Sequence, residues 1–242
     1  MGKIIETYLG DWYDFMKPIL ITQAFNNITE QIKARANAGA VVYPGRGKTF
    51  RAFKLCPLKS VKVVILGQDP YHDGSATGLA FANREGARPS PSLRNIITCV
   101  KNDFGDVDVS VTLEDWAKQG VLLLNTALTV EKGSAGVHTS LWKPFTRMFI
   151  QKLSINKPNL VFVLWGKKAQ EYQKFIKGQH TILTAPHPAA ESYSGGKAGF
   201  FTCGHFKKIN ETLTEPIQWF AMSEEEKEKW NNYLDDEMKL TV

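Results

Sequence analysis

The sequence predicts an α/β fold: a single three-layer α/β/α domain with a four-stranded parallel sheet. Short apolar runs followed by turn residues predict the four strands, at residues 61–67, 121–125, 160–165 and 181–185. Each run is continuously apolar rather than alternating, which is typical of parallel strands buried on both faces. Helical patterns lie between the runs, and this alternation favours right-handed crossovers between parallel strands.

Three apolar stripes predict the main helices between the strands. The first covers residues 93–100 with i, i+3, i+4, i+7 spacing and begins behind Ser92, which we expect to be its N-cap. The second covers residues 141–149. The third covers residues 169–176 and ends at Gly178. Each stripe predicts a helix that packs an apolar face on the sheet.

The chain divides by charge into a basic body and an acidic tail. We expect residues 1–220 to form one domain and residues 221–242 an acidic C-terminal helical extension, which opens with a capping box at residues 223–226. The 242 residues have a net charge of +6, and the tail holds seven acidic residues and three lysines, so the body carries +10. A body of that charge attracts polyanions such as nucleic acid.

Composition also restricts the class of protein. No apolar run approaches the roughly 20 residues that span a bilayer, and we see no targeting segment, so we expect a cytoplasmic protein without a membrane anchor. Cys56, Cys99 and Cys203 are far apart in the sequence and odd in number. This argues against a disulfide framework and a zinc site, and it favours buried, reduced thiols. We expect a monomer.

Polar residues follow the predicted strands, at the edge where parallel sheets bind ligands. Gln68 and Asp69 follow the first strand, Asn125 ends the second, and His187 comes after the fourth. A lone aspartate there would more often cap a helix. Asn125 offers an amide donor and acceptor for a planar base edge, His187 an N–H donor, and Phe81 a face for stacking. These partners favour a functional role for Asp69.

Other ligand classes find little support in the sequence. The run at residues 45–49 resembles a phosphate-binding loop but has Val42 where that motif needs glycine, and it precedes the first strand instead of following it. No GxGxxG motif follows a strand. His72, His187 and His205 lack the paired spacing of common metal sites. We therefore expect neither a metal nor a cofactor, and we expect His138, His180 and His205 to be structural.

A set of motifs carries a specific family resemblance. They occur in order as GQDPYH (67–72), GLAF (78–81), PSPSL (89–93), GVLLLNTALTV (120–130), VFVLWGKKAQ (161–170) and GFFTCGHF (199–206). From about residue 8 to 219 the chain resembles the family-one uracil-DNA glycosylases. The resemblance implies a four-stranded parallel sheet between helices and no metal or cofactor. It also implies hydrolysis of the N-glycosidic bond of uracil in single- or double-stranded DNA, which leaves an abasic site during base excision repair.

The resemblance also assigns roles to residues. It implies that Asp69 and His187 are catalytic, Asp69 towards the sugar cation and water, and His187 towards uracil O2. The residues that bind uracil are then Gln68, Tyr71, Phe81 and Asn125, with Phe81 stacking on the base and Tyr71 excluding the thymine methyl group. The residues that contact DNA are then Pro89, Ser90, Ser92, Gly166, Lys167, Ser192 and Tyr193.

The chain departs from the family in two loops. Glu191 stands where the family has the leucine that enters the base stack, and this loop is about three residues longer than usual. A carboxylate there is expected to be repelled by phosphates, whereas base unstacking favours an apolar wedge. Either Tyr193 replaces the wedge, or Gly195 and Gly196 let the loop rearrange, or single strands are preferred. The turn at residues 73–77 is one residue shorter than usual and lacks the family's histidine.

Three alternatives to an active uracil-DNA glycosylase remain at the level of the sequence. The first is a non-cleaving binding protein of the same fold, which has no need of Asp69, Asn125 and His187 together. The second is a glycosylase with an altered base preference. The third is an unrelated nucleotide-binding α/β enzyme, which the missing phosphate-loop motifs disfavour.

Overall fold

A four-stranded parallel sheet forms the centre of the fold. The structure is a computed structural model that describes the backbone of residues 2–221 and the side chains of residues 6–221. The sheet has the order β3-β2-β5-β6, and a separate antiparallel ribbon pairs β1 with β4. The strands are β1 (Val42–Tyr43), β2 (Val63–Gly67), β3 (Val121–Asn125), β4 (Val130–Glu131), β5 (Val161–Trp165) and β6 (Thr181–Ala185). The predicted fold class is confirmed.

Helices flank this sheet and complete the three layers. α7 packs against α2 and α3, and α5 packs against α9 and α10. Short 3₁₀ turns lie at Leu58–Ser60 and Gln173–Phe175. The helices of the described chain are α1 (Gly2–Leu9), α2 (Trp12–Leu20), α3 (Gln23–Asn37), α4 (Arg51–Leu55), α5 (Pro91–Phe104), α6 (Glu114–Lys118), α7 (Thr139–Asn156), α8 (Lys167–Gln170), α9 (Ala190–Ser194) and α10 (His205–Thr212). No helix within residues 2–221 has the length and apolar character needed to traverse a bilayer.

The strand predictions hold, with one correction of burial. β2, β3 and β5 are buried at every position, as continuous apolar runs require. In contrast, β6 is buried only at Ala185, and its other four residues are partly or fully exposed. Both β3 and β6 are edge strands, but β3 is also in contact with α4 and α6, whereas the main contacts of β6 are with β5. β2 and β5 also begin slightly later than predicted, at Val63 and Val161.

Two helix predictions need correction. Ser92 is not the N-cap of α5, because the Ser90 hydroxyl accepts the Leu93 N–H at 3.3 Å and Pro91 takes the first helical position. The stripe at residues 169–176 is not one helix either. α8 ends at Gln170, and the Phe175 N–H bonds the carbonyl three residues back in a 3₁₀ turn. The capping box and helix predicted after residue 221 lie outside the described residues.

The loop after His187 is organised by a buried carboxylate. Glu191 is 2% exposed and lies in α9. One carboxylate oxygen accepts the N–H groups of Phe200 and Phe201, and the other accepts the Ala198 N–H at 2.9 Å and the Ser194 hydroxyl at 3.4 Å. The expectation that Glu191 faces DNA phosphates is therefore wrong. Its carboxylate joins α9 to residues 198–201, which form the following turn.

The Glu191 carboxylate and its four donors, which we call the Glu191 clamp, make a measurable contribution to the stability of the fold. Burial alone raises the pKa of the Glu191 carboxyl, but the donors of Ala198, Phe201, Phe200 and Ser194 outweigh it and hold the pKa below its usual value. We expect Glu191→Gln to lower the free energy of unfolding by about 2 kcal/mol at neutral pH, because an amide cannot accept all these bonds. Urea unfolding followed by fluorescence measures this.

The same experiment at lower pH separates the charge from the shape of the side chain. A carboxyl group whose pKa is lower in the folded than in the unfolded protein stabilises the fold at pH values above its unfolded-state pKa. This stabilisation is lost as the pH falls through its folded-state pKa. The difference between the wild type and Glu191→Gln therefore narrows below about pH 4.3, the ordinary glutamate value. A difference that grows on acidification contradicts this account of the clamp.

Candidate active site

The carboxyl edge of the sheet carries a cavity of about 180 Å³. The parallel register pairs Gly67 with Asn125 and Trp165 with Ala185, so the segments that follow these strands emerge side by side. All six residues predicted for catalysis and base binding line this one cavity. The lining residues are Gln68, Asp69, Pro70, Tyr71, His72, Ala76, Thr77, Gly78, Leu79, Phe81, Ser92, Asn125 and His187.

Gly67 makes the space that the Asn125 amide occupies. A Cβ atom at Gly67 would lie 2.3 Å from the Asn125 Oδ1 atom and 2.9 Å from the Ala80 Cβ atom, so any larger residue collides there. Asn125 is 8% exposed. Among the described residues its amide has no hydrogen-bond partner, although buried amides are normally satisfied. The amide is therefore available to a ligand in the cavity.

Asp69 is fixed by a backbone N–H from a distant loop. Its Oδ2 atom accepts the Gly136 N–H at 2.6 Å, in the segment between β4 and α7. Burial raises the pKa of the Asp69 carboxyl, and this effect outweighs the Gly136 bond and nearby His72, which lower it. The carboxylate thus points into a partly desolvated cavity with its second oxygen uncommitted. Such a group can stabilise a cation or bind and deprotonate water.

His187 is held as a neutral ring with a defined proton position. Its Nδ1 atom accepts the Ala189 N–H at 3.1 Å, so the Nε2 atom carries the proton of the neutral ring. Burial lowers the pKa of His187 below 6.5. Gly166, at φ 85°, approaches so closely that a Cβ atom there would lie 2.8 Å from the His187 Cβ atom. The ring therefore offers an N–H donor to the cavity.

Phe81 and Tyr71 form an aromatic wall in a strained segment. Phe81 has φ 65°, which is uncommon for a bulky residue, and its ring lies 5.6 Å from Trp165 and 6.0 Å from His187. The Tyr71 hydroxyl donates to the Phe81 carbonyl at 3.2 Å and lies 2.6 Å from the Ser90 hydroxyl. Burial raises the pKa of Tyr71, which stays a neutral phenol. Such backbone strain is concentrated at functional sites.

The seven residues predicted to contact DNA lie in three segments near the cavity, which include the starts of α5 and α8 and the middle of α9. Ser92 lines the cavity, and Ser90 is bonded to Tyr71. Gly166 packs on His187 and is followed by exposed Lys167. In the third segment Ser192 and Tyr193 lie in α9, and Tyr193 is 88% exposed. Pro89, next to Ser90, is half-buried.

Several residues that build the site were missed from the sequence. Gly136 supplies the hydrogen bond to Asp69 across 67 positions of the chain. Asn95 donates to the Pro188 carbonyl at 2.8 Å and to the Ser192 hydroxyl at 2.9 Å, and so ties α5 to the loop after His187. Asn83 accepts the Ser90 N–H at 3.0 Å. These are polar contacts between separate segments with no periodic signal, although a glycine such as Gly136 is a general indicator of a turn.

The predicted structural histidines make internal hydrogen bonds. The His138 ring lies 2.9 Å from the Thr129 hydroxyl, His180 accepts the Leu160 N–H at 3.2 Å, and His205 accepts the Trp165 indole N–H at 3.0 Å. Across the described residues, no three His, Cys, Asp or Glu side chains are placed to hold a metal ion together.

The chain is similar to known proteins over most of its length. The model of the uracil DNA glycosylase superfamily matches residues 53–214. The uracil-DNA glycosylase of Glaesserella parasuis is 42% identical over 219 residues, covering 87% of this chain and 98% of that protein. The one of Mannheimia succiniciproducens is 44% identical over 209 residues, covering 84% and 92%. The crystal structure of mimivirus uracil-DNA glycosylase is similar with a TM-score of 0.81 and 28% identity, covering 89% of this chain and 88% of that one. The chain belongs to the uracil DNA glycosylase superfamily.

Proposed function

We propose that this protein removes uracil from DNA by hydrolysing its N-glycosidic bond, as a DNA repair enzyme that leaves an abasic site. One observation carries the proposal: Asp69, Asn125 and His187, from three separate strand ends, line the same small cavity. A base inside duplex DNA cannot reach such a cavity, so the nucleotide is extruded from the helix before cleavage.

The walls of the cavity match a uracil base. The unpaired Asn125 amide donates to O4 and accepts N3–H, whereas cytosine presents an amino donor that leaves the amide donor unsatisfied. Phe81 stacks on the base, and Gln68 helps to hold its edge. Tyr71, held by its bonds to Phe81 and Ser90, fills the space that the thymine methyl group needs.

The chemistry divides between two residues. As the bond from C1′ to N1 breaks, positive charge develops on the sugar and negative charge on the departing uracil. The Asp69 carboxylate stabilises the sugar cation and positions a water molecule for attack at C1′. The neutral His187 ring donates its Nε2 proton in a hydrogen bond to uracil O2, where the negative charge grows.

The three segments around the cavity supply the DNA contacts. Ser90 and Ser92 lie at the start of the 14-residue helix α5, whose free N–H groups suit phosphate oxygens. Pro89 shapes the same loop. In the other two segments the Lys167 ammonium group and the Ser192 hydroxyl make such contacts. Gly166, whose N–H donates to the Ala185 carbonyl at 2.9 Å, forms the backbone turn that places Lys167 at the DNA. Such contacts position the DNA without selecting its sequence, so they suit single- and double-stranded substrates.

Tyr193 is the side chain best placed to enter the base stack in place of a leucine. Glu191 cannot do so, because its carboxylate is buried and hydrogen-bonded. Tyr193 is 88% exposed and projects from α9, which is held in place by the hydrogen bonds of Glu191 and Asn95. An aromatic ring can fill the gap that an extruded base leaves.

We further propose that the enzyme acts as a cytoplasmic monomer. The monomer is supported by the completeness of the site, since all six residues predicted for catalysis and base binding line one cavity of this chain. The cytoplasm is supported by the curated bacterial relatives, whose DNA lies in that compartment.

The catalytic assignment predicts the loss of activity without the loss of the fold. We expect Asp69→Asn and His187→Ala each to lower uracil release at least about a hundredfold, because each removes charge stabilisation in the transition state. Single- and double-stranded oligonucleotides with uracil, thymine or hypoxanthine measure abasic-site formation. Asp14→Asn, an exposed carboxylate outside the cavity, is the matched control. Near-normal turnover by well-folded Asp69→Asn contradicts the assignment, and preferential release of hypoxanthine contradicts the proposed substrate.

The pKa shifts predict how activity depends on pH. Burial raises the pKa of Asp69 above 3.8 and lowers that of His187 below 6.5. Asp69 must be ionised and His187 must be neutral, so kcat/KM is expected to be flat near neutral pH. It should fall on acidification, in a limb that lies between pH 3.8 and pH 6.5. His187→Ala should keep the part of the limb that belongs to Asp69. A limb centred above pH 6.5, or activity that rises on acidification, is inconsistent with these roles.

The wedge assignment predicts a dependence on strandedness. We expect Tyr193→Ala to lower kcat/KM for uracil in duplex DNA about tenfold, since base–aromatic stacking contributes about 1–3 kcal/mol. Uracil in single strands has little stacking to disrupt, so the loss there should be much smaller. Tyr193→Phe keeps the ring and should remain close to the wild type. Equal losses on both substrates mean that Tyr193 is a general DNA contact and not a wedge.

A further inference from the structure

Two cysteines that are far apart in the sequence lie together beside the loop that carries Tyr193. The Cys99 and Cys203 Sγ atoms are 3.6 Å apart although 104 positions separate them. Cys99 is buried on α5, and its Sγ atom contacts the Phe200 carbonyl at 3.3 Å. Cys203 precedes α10 and is partly exposed. Their distance in sequence had argued for isolated thiols.

The two sulfur atoms differ in acid–base character. The pKa of Cys203 is lowered, mainly by the hydrogen bond with Cys99 and also by the side chain and backbone N–H of His205, and these outweigh burial. The pKa of Cys99 is raised by the same hydrogen bond and by burial. Of the two, the partly exposed Cys203 is therefore the sulfur that loses its proton more readily. The thiolate is the form of cysteine that reacts with oxidants.

We propose that Cys99 and Cys203 form an oxidation site for hydrogen peroxide, which closes reversibly into an intramolecular disulfide. In the first step the Cys203 sulfur attacks one peroxide oxygen, the O–O bond breaks, and a sulfenic acid and hydroxide form. In the second step the Cys99 sulfur attacks the Cys203 sulfur, the S–S bond forms, and the S–O bond breaks. The departing hydroxide accepts the proton of the Cys99 thiol and becomes water. Two thiols and one peroxide thus give one disulfide and two water molecules.

The surrounding backbone allows this closure. The sulfur atoms must approach by about 1.5 Å to reach the bonded distance near 2.05 Å. Cys99 is fixed in a helix, whereas Cys203 lies in a turn between Gly199, at φ 91°, and Gly204, at φ 60°. A cysteine in such a turn can move without unfolding a helix or strand. The site adjoins the Glu191 clamp, since Phe200 and Phe201 of the same turn donate to that carboxylate.

The third cysteine provides an internal control. Cys56 is fully buried in another part of the fold, where its carbonyl accepts the Trp12 indole N–H at 2.7 Å. Burial raises the pKa of Cys56 to about 12, so it is a protonated thiol at neutral pH. It is expected to resist peroxide under conditions that oxidise Cys203.

The test uses the full-length protein, hydrogen peroxide at neutral pH, and mass spectrometry. After the peroxide is quenched, the protein is denatured and alkylated, and its intact mass and peptides are measured. We expect a loss of two hydrogens, about 2 Da, one alkylated thiol at Cys56, and a peptide pair that links Cys99 to Cys203. Dithiothreitol should restore three alkylated thiols. Three alkylated thiols after peroxide, or a link that includes Cys56, overturns the proposal.

Two variants assign the order of steps. In Cys99→Ser the sulfenic acid at Cys203 cannot be resolved, so dimedone should label Cys203. In Cys203→Ser neither the link nor the dimedone adduct should form, whereas Cys56→Ser should behave as the wild type. Labelling of Cys203 no faster than that of Cys56 overturns the proposal, and so does direct oxidation of wild-type Cys203 to sulfinic acid without a link. The wild-type measurement decides the proposal even if a variant fails to fold. None of these measurements depends on uracil excision.

Discussion

The close approach of β2 and β3 at their carboxyl ends is the constraint on which the active site depends. The register places Gly67 directly beside Asn125, and the absent side chain at Gly67 is the space that the Asn125 amide fills. Asp69 leaves β2 two residues later and enters the same cavity. Gly166 plays the matching part at the end of β5, where it lets His187 pack against the backbone. The functional groups are thus positioned by the sheet through glycines that do no chemistry.

Burial then shifts the pKa values of Asp69 and His187 in the directions that their proposed roles require. The same desolvation raises the pKa of the Asp69 carboxyl and lowers that of the His187 ring, because in both cases the charged form is disfavoured. The Gly136 N–H limits the shift at Asp69, whereas no charge or hydrogen bond opposes the shift at His187. In the function that we propose, the cavity therefore holds a carboxylate for the sugar and a neutral donor for the leaving group.

The sequence was informative where local pattern decides the structure. Continuous apolar runs predicted all four strands of the main sheet, and the polar residues after them predicted the cavity. Prediction failed at one local detail and at contacts between separate segments. Ser90 rather than Ser92 caps α5, since Pro91 begins the helix. Glu191 was expected at the DNA surface, but the donors that bury it come from a turn up to ten residues away. The neighbouring cysteines Cys99 and Cys203 carry no periodic signal at all.

The central claim is that the Asn125 amide selects the base in a cavity where Asp69 and His187 promote cleavage of the N-glycosidic bond. The most direct test is base release by Asn125→Asp from oligonucleotides that contain cytosine, with thymine as the control base. A carboxylate accepts a hydrogen bond from the cytosine amino group. We predict that this variant releases cytosine above the background of an Asn125→Asp, Asp69→Asn double variant and loses much of its uracil release. Unchanged uracil release without any release of cytosine would show that Asn125 does not recognise the base.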